Sequence, residues 1–265
     1  MGQLIQQCKN NLSGSGSEAP NYNLPINTKL ERLRQKIDAN TVHFIEGSNL
    51  LTVSRDNVLE DSREYFNRFN NRKELKIMFR GENKSAATDA GGLSKEWYTL
   101  VSEELLNPNN KYFSPCDSDE ISYFISEDSE EEKDKDEKFY FVGLFMAKAL
   151  FDKVPINLCL SKAIYKYILG EDGMDLDELK QFDQPLYNSL KYINDHNIDD
   201  GSCGEMYFTH LRKNGVEEEL THGGKDIKVT ENNKYQFIAV KIDFVTKEIV
   251  EPQLINLKRG FLSLI

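Results

Sequence analysis

The sequence predicts a mainly helical α+β protein. The most apolar stretch of the chain, residues 139–151, would form more than three helical turns and is hydrophobic on every side of such a helix. Elsewhere, apolar residues recur three or four positions apart, which is the spacing of one helix face. Only short runs alternate between apolar and polar residues, as strands do. We therefore expect helices to form most of the core, with a few short strands between them.

Residues 139–151 are the predicted centre of the fold. A helix that is apolar all round is either buried in the protein or spans a membrane. Thirteen residues that include Lys148 fall short of the roughly 20 needed to cross a bilayer, so a core helix is predicted. Gly143, Ala147 and Ala149 are small and leave room for close neighbours. We expect the rest of the fold to pack around this helix.

The composition supports a substantial core but not nucleic-acid binding. Of 265 residues, 39% are hydrophobic, and the formal net charge is -11. The acidity is local, because residues 117–138 hold eleven Asp and Glu side chains against three lysines, a balance of -8. We interpret residues 117–137 as an acidic, mobile insertion in solvent, with a docking site for a basic partner as the alternative.

The N-terminal part of the chain begins with a polar segment. Residues 1–28 include an alternating Ser and Gly run and are predicted to be a disordered tail. A short helix is expected at 30–37, and residues 75–79 alternate as a strand does. A helix face between them is formed by Val58, Leu59, Tyr65, Phe66 and Phe69.

Two adjacent glycines, Gly91 and Gly92, precede a helix that is predicted to end at Asn107 and Pro108. Glycines in this position can cradle a phosphate, but neither of the usual nucleotide-binding spacings is present. We attribute the pair to a backbone torsion or to close packing. The face of this helix consists of Leu93, Trp97, Leu100, Val101 and Leu105.

The second half of the chain predicts further helices with two short β-type runs. Asp183 and Pro185 favour the start of a helix along which Leu186, Leu190 and Ile193 share one side. Short β-type runs are expected at 206–208 and 227–229, and further helices at 160–168, 230–245 and 254–261.

Cysteine and histidine residues give no sign of a metal or disulfide framework. The cysteines Cys8, Cys116, Cys159 and Cys203 are scattered, as are the four histidines, so no metal site and no cofactor are expected. Reduced thiols, and an N-terminus without the apolar core of a signal peptide, favour a cytoplasmic or nuclear protein.

A series of short motifs is spread over residues 50–265. In chain order they are Leu75-Lys-Ile-Met-Phe with Gly81-Glu82, Asp89-Ala-Gly-Gly-Leu-Ser-Lys-Glu-Trp, Asn107-Pro108, Phe141-Val-Gly with Ala147-Lys-Ala-Leu-Phe-Asp, Tyr165-Lys with Leu169-Gly170, Tyr187-Asn-Ser-Leu, Gly223-Gly224, Val229-Thr with Asn233-Lys-Tyr, and Gln253 with Gly260-Phe261 and Leu264-Ile265. Each motif is weak alone. Their order resembles the N-terminal lobe of a HECT-type ubiquitin ligase domain.

The resemblance implies a lobe with two parts. These are a large helical subdomain, residues 29–172 plus 248–265, and a small inserted α/β subdomain, residues 173–247, which in that family docks a ubiquitin-conjugating enzyme. We expect Leu190 to be exposed in the free protein, with a core position as the alternative for any single residue. The docking residues implied by the resemblance are Leu186, Ser189, Leu190, Ile193, Met206 and Phe237.

The same resemblance implies a ubiquitin-protein transferase whose chemistry lies elsewhere. In that family a separate C-terminal lobe carries the cysteine that takes ubiquitin as a thioester, and none of the four cysteines of this chain matches that position. Ile265 is interpreted as a cut before that lobe, so this chain alone is expected to be inactive. The loop 83–88 and Ala90 depart from the family pattern, and no ubiquitin-binding site is assigned to them.

The expected partners are a ubiquitin-conjugating enzyme and, as its thioester cargo, ubiquitin. Neither nucleic acid nor a membrane is expected. Two alternatives stay open from the sequence: a non-catalytic module that binds conjugating enzymes, and a helical scaffold unrelated to ubiquitin.

Overall fold

The computed structural model describes residues 24–40, 42, 47–66, 68, 70–81, 91–118, 120–171, 173–201 and 203–265. Contacts divide the chain into two compact units, residues 1–41 and 42–265. The described residues are mainly helical. The helices are α1 (Ile26–Asn40), α2 (Val58–Phe66), α3 (Gly92–Leu106), α4 (Lys135–Phe151), α5 (Lys162–Leu169), α6 (Gln184–Asp195), α7 (Lys234–Thr246) and α8 (Glu251–Leu262).

In the described part of the chain the strands are short and form three two-stranded sheets, so the predicted mainly helical α+β class is confirmed. β1 (Asn49–Val53) pairs in parallel with β2 (Leu75–Phe79), the strand predicted at 75–79. Two antiparallel pairs follow: β3 (Phe113–Pro115) with β4 (Tyr123–Ile125), and β5 (Thr209–Leu211) with β6 (Glu217–Glu219). The predicted runs at 206–208 and 227–229 form only an isolated bridge between Tyr207 and Lys228.

Helix α1 makes up the described part of the first unit. It begins at Ile26, four residues before the predicted helix at 30–37, and so takes in the last residues assigned to the disordered tail. The rest of that predicted tail, residues 1–23, lies outside the described residues. No helix among the described residues has the length and apolar character to span a membrane.

Helix α4 contains the predicted central helix, and nearly all of its residues from Phe139 onward are buried. Its main neighbour is α8, the predicted last helix, as expected. Gly143 permits this contact, because a Cβ there would lie 1.8 Å from the carbonyl oxygen of Leu257. The small residues of this stretch therefore do allow close approach.

Aromatic side chains fill the space between α2, α3 and α4. Trp97 on α3 stacks on Phe66 of α2, with ring centroids 5.8 Å apart, and meets Phe145 of α4 at 5.5 Å. The indole N–H of Trp97 donates to the hydroxyl of Ser62 at 2.8 Å. The predicted helix faces thus meet in one core. Gly91 has a φ of 108° at the start of α3, which confirms a torsional role for this glycine.

The acidic segment 117–137 is built into the fold. It contains β4, a 3-10 turn at Glu127–Glu131 and the start of α4. In the turn Ser129 is buried, its hydroxyl donates to the carbonyl of Ser126 at 2.6 Å, and Nε2 of Gln253 on α8 donates to it at 3.1 Å. The described part of the segment therefore packs against the fold, and the mobility expected of residues 117–137 stays a prediction.

Cations from other parts of the chain explain this outcome. Asp134 lies 2.5 Å from Arg63 of α2, and Glu132 lies about 3 Å from both Lys138 and Lys111. Hydrogen bonds from the two lysines lower the pKa of Glu132. Arg63 and Lys111 lie outside residues 117–138. The charge balance of that segment therefore did not reveal them as partners.

Candidate docking surface

Helix α6 carries four of the six residues that the family resemblance assigns to docking. The carboxylate of Asp183 accepts a hydrogen bond from the backbone N–H of Leu186 at 2.8 Å, and Pro185 lies in the first turn. The predicted start of this helix is therefore confirmed. Burial raises the pKa of Asp183, while the bond from Leu186 acts in the opposite direction.

Three of the six predicted docking residues lie in the core. Leu190 is 2% exposed, Ile193 6% and Phe237 5%. The ring of Phe237, on α7, meets that of buried Phe208 at 5.4 Å. The expectation of an exposed Leu190 is wrong, because the apolar face of α6 lies against the protein and α6 contacts α7.

The other three predicted residues remain accessible. Leu186 and Met206 are half-buried, and Ser189 is exposed, with its hydroxyl donating to the carbonyl of Pro185 at 3.0 Å. The structure thus separates the six residues into a buried group that shapes α6 and α7 and an accessible group that a partner could touch.

An exposed aromatic surface, absent from the sequence-based prediction, lies where α6 ends and α7 begins. Tyr192 is 45% exposed and stacks on exposed His196, with centroids 4.2 Å apart; Tyr235 of α7 is 61% exposed. We call Tyr192, His196 and Tyr235 the aromatic surface. A sequence signal existed, because Ser189, Tyr192 and His196 follow each other at three and four positions and so share one helix face.

Lys234 connects the two helices at this surface. Its side chain is buried, its ammonium donates to the carbonyl of His196 at 2.8 Å, and it lies 2.7 Å from the carboxylate of Glu231. The same ammonium is 5.3 Å from the ring centroid of Tyr235. A lysine that binds the last carbonyl groups of a helix compensates their partial negative charge. Lys234 thereby holds Tyr235 beside the end of α6.

Gly224 packs closely against the backbone of Phe208. A Cβ on Gly224 would lie 2.3 Å from the carbonyl oxygen of Phe208, so the second glycine of Gly223-Gly224 is required by packing. Gly223 has a φ of 72°, which favours glycine for a different reason. This sequence pair therefore has a structural role at both positions.

Two half-buried basic side chains lie between β5 and α7. Lys241 donates to the carbonyl of Thr209 at 2.9 Å, and burial lowers its pKa to about 8. The ring of His210 meets Phe244 at 5.3 Å, and burial, followed by the charges of Lys241 and Arg212, lowers its pKa to about 4. His210 is therefore neutral near pH 7.

The thiol of Cys116 is poorly suited to act as a nucleophile. Burial raises the pKa of Cys116, although hydrogen bonds with Ser122 and Ser161 oppose the shift. Burial, rather than the neighbouring acidic side chains, is the main cause of this shift. Among the described residues, no three His, Cys, Asp or Glu side chains are grouped to hold a metal ion.

The described fold is mainly helical with an exposed aromatic surface, and comparison with known proteins gives its family. A family model described as HECT-domain (ubiquitin-transferase) matches residues 99–265. The chain belongs to the HECT family, as its motifs suggested.

Individual relatives agree with this result. The chain is 31% identical to the E3 ubiquitin-protein ligase TOM1 of Saccharomyces cerevisiae over 81% of its length, and 28% identical to the E3 ubiquitin-protein ligase HUWE1 of Mus musculus over 91%. It is 29% identical to the E3 ubiquitin-protein ligase Smurf1 of Drosophila melanogaster over 93%. The matched part is 7%, 6% and 23% of these relatives' own lengths.

Proposed function

We propose that this chain is the lobe of a HECT-type ubiquitin ligase that receives a ubiquitin-charged conjugating enzyme. The observation that carries the proposal is the family match, which includes the whole predicted small subdomain, residues 173–247. E3 ubiquitin-protein ligases are also the relatives that match most of the chain. Residues 173–247 then serve as the docking platform and the remainder of the lobe as its support.

The docking surface in this proposal lies on a different side of α6 from the surface that the sequence predicted. Ser189, Leu186 and Met206 keep their assignment because they are accessible, and the aromatic surface extends it. Tyr side chains suit this role, since they give a large contact area at low cost in side-chain entropy and are frequent energetic hot spots of interfaces. The buried residues Leu190, Ile193 and Phe237 hold this surface in place.

The chemistry we propose is transfer of ubiquitin from the thiol of the conjugating enzyme to a thiol of the ligase. The attacking sulfur must be an accessible thiolate, and the new thioester forms as the conjugating enzyme's thiol leaves. Cys116 is unsuited because burial raises its pKa. We propose that the acceptor thiol belongs to a separate lobe of the ligase, so this chain binds the charged enzyme without accepting ubiquitin.

The test has two readouts on the same protein. Biolayer interferometry against a panel of purified conjugating enzymes should show binding by at least one of them. Non-reducing electrophoresis after mixing with the charged enzyme should show no ubiquitin adduct on this chain that disappears with dithiothreitol. Absence of binding across the panel would overturn the docking assignment, and a reductant-sensitive adduct would place the acceptor among the cysteines of this chain.

A second candidate is a docking module that never takes part in transfer, and the raised pKa of Cys116 fits it equally well. Fusing a HECT C-terminal lobe after Ile265 separates the two functions. Restored thioester formation supports the ligase lobe, whereas binding without restored transfer supports the docking module.

A further inference from the structure

Arg212 connects two parts of the chain that are far apart in sequence. It directly follows β5, and its Nη1 lies 2.6 Å from the carboxylate of Glu130 in the 3-10 turn at Glu127–Glu131, which we call the acidic turn. Its Nε lies 2.7 Å from the carboxylate of Glu218 on β6. The Arg212 side chain is only 12% exposed. One guanidinium thus bridges carboxylates from both predicted subdomains.

The two carboxylates are anchored to different parts of the compact unit formed by residues 42–265. Glu130 follows Ser129, whose buried hydroxyl is bonded to Ser126 and to Gln253 of α8, so the acidic turn is fixed to the predicted large subdomain. Glu218 lies in the hairpin β5–β6, whose strands have three residues each and which belongs to the predicted small subdomain. The Arg212–Glu130 pair is therefore a contact between the subdomains, and the Arg212–Glu218 pair is a contact within the hairpin.

The electrostatic effect of removing Arg212 depends on the charges around it. The acidic turn also contains Glu127, Asp128 and Glu131, and with Arg212 it lines a cleft of about 190 Å³. Without the guanidinium, Glu130 and Glu218 would face each other as like charges near this acidic surface. Partly buried charges are screened less than exposed ones, so loss of the guanidinium would weaken the attraction across the cleft, although Lys213 also lines it.

We propose that the Arg212–Glu130 ion pair is a clasp that acts with the Phe124–Phe182 ring contact to fix the orientation of the predicted small subdomain on the large one. The clasp is a property of this chain and does not depend on the proposed function. Its consequence is that anything docked on residues 173–247 is presented in one position relative to α4 and α8. The acidic segment, which composition alone suggested was a passive insertion, supplies one half of the clasp.

Electron spin resonance can measure this orientation directly. Nitroxide labels on cysteines introduced at Asn188 of α6 and Ile255 of α8, both exposed, report the distance between the subdomains in a background whose native cysteines are serine. The parent protein should give one narrow distance distribution. Arg212→Met should broaden or shift it, and Glu130→Gln should do so to a lesser extent, because Arg212 then still neutralises Glu218.

Glu218→Gln is the matched control, since it removes only the contact within the hairpin and should leave the distribution narrow. If Arg212→Met and Glu130→Gln both keep the parent distribution while circular dichroism shows them folded, the clasp does not exist. Should Arg212→Met fail to fold, Glu130→Gln decides the matter, because it leaves the half-buried cation paired with Glu218.

Discussion

Gly143 of α4 and Gly260 of α8 each accommodate the backbone of the other's helix. A Cβ on Gly143 would lie 1.8 Å from the carbonyl oxygen of Leu257, and one on Gly260 would lie 2.0 Å from the carbonyl oxygen of Tyr140. Because backbone atoms rather than flexible side chains occupy this space, neither helix can yield without moving the other. The central contact of the fold therefore depends on two glycines that are remote in sequence.

Gly143→Ala and Gly260→Ala should each lower the free energy of unfolding by about 3 kcal/mol or more, above the usual range for an overpacked core, since the helices must separate. Urea unfolding followed by circular dichroism measures the effect. Gly92→Ala, at an exposed position in the first turn of α3, is the control and should be neutral or slightly stabilising. Unchanged stability of both core variants would contradict the close contact.

The sequence could predict half of this contact. Gly143, with Ala147 and Ala149, breaks a run of large apolar residues, and that interruption indicates close approach by some neighbour. It does not identify α8 as the neighbour, because the pairing is set by the tertiary fold. Gly260 lies in a helix of mixed composition where a glycine has several explanations.

A second prediction concerns the charge inside α4. Lys148 is buried, and its ammonium donates to the carbonyl of Lys73 at 2.9 Å and to the carboxylate of Asp152 at 2.6 Å. The hydroxyl of Tyr98 donates to the other oxygen of Asp152 at 2.8 Å. Burial lowers the pKa of Lys148 and raises that of Asp152, although each charge favours the other.

Asp152→Ala should therefore destabilise the protein by about 3 to 5 kcal/mol, because it leaves a buried ammonium without its counter-charge. The double variant Lys148→Met with Asp152→Ala should lose much less than the sum of the two single variants. A double-mutant cycle from denaturant unfolding measures this coupling. Strict additivity would mean that the two side chains do not interact.

A third prediction is a loss of stability in acid through His210. Its pKa of about 4 in the folded protein lies below its ordinary value of 6.5, so the unfolded chain binds more protons between these values. Stability contributed by neutral His210 is full above about pH 6.5 and is lost as the pH falls through 4. Because the ring is half-buried, we expect a loss of about 1 to 2 kcal/mol.

The measurement compares unfolding free energies at pH 7 and pH 4.5 for the parent and His210→Gln. The substitution should reduce the difference between the two pH values, whereas His222→Gln, at an exposed position, should leave it as in the parent. An equal pH dependence in the parent and in His210→Gln would show that protonation of this ring does not oppose folding.

The candidate surface shows where sequence patterns stop being informative. Helical spacing correctly placed Leu186, Leu190 and Ile193 on one side of α6, but an apolar face looks the same whether a partner or the protein itself covers it. Whether the protein itself covers this face depends on α7, whose first residue lies about 40 positions after the end of α6. The aromatic surface was missed for the same reason, since the contact of Lys234 with His196 joins the start of α7, which carries Tyr235, to the end of α6.

The last prediction tests the displaced docking surface. Tyr192→Ala should weaken binding to the cognate conjugating enzyme by about tenfold or more, as a hot-spot side chain does, with little change in the thermal midpoint because the ring is already exposed. Leu190→Asp should instead unfold the protein, because it places a charge in the core. Leu169→Asp is the control, since Leu169 is an exposed apolar residue on α5 outside the surface, and it should change neither property. Interferometry and a thermal melt on each variant give both readouts. A contrary outcome would be that Tyr192→Ala binds as the parent does, while Leu190→Asp stays folded and loses binding. The docking face would then be the one that helical spacing first indicated, and this face, buried in the free protein, would have to become exposed when the partner binds.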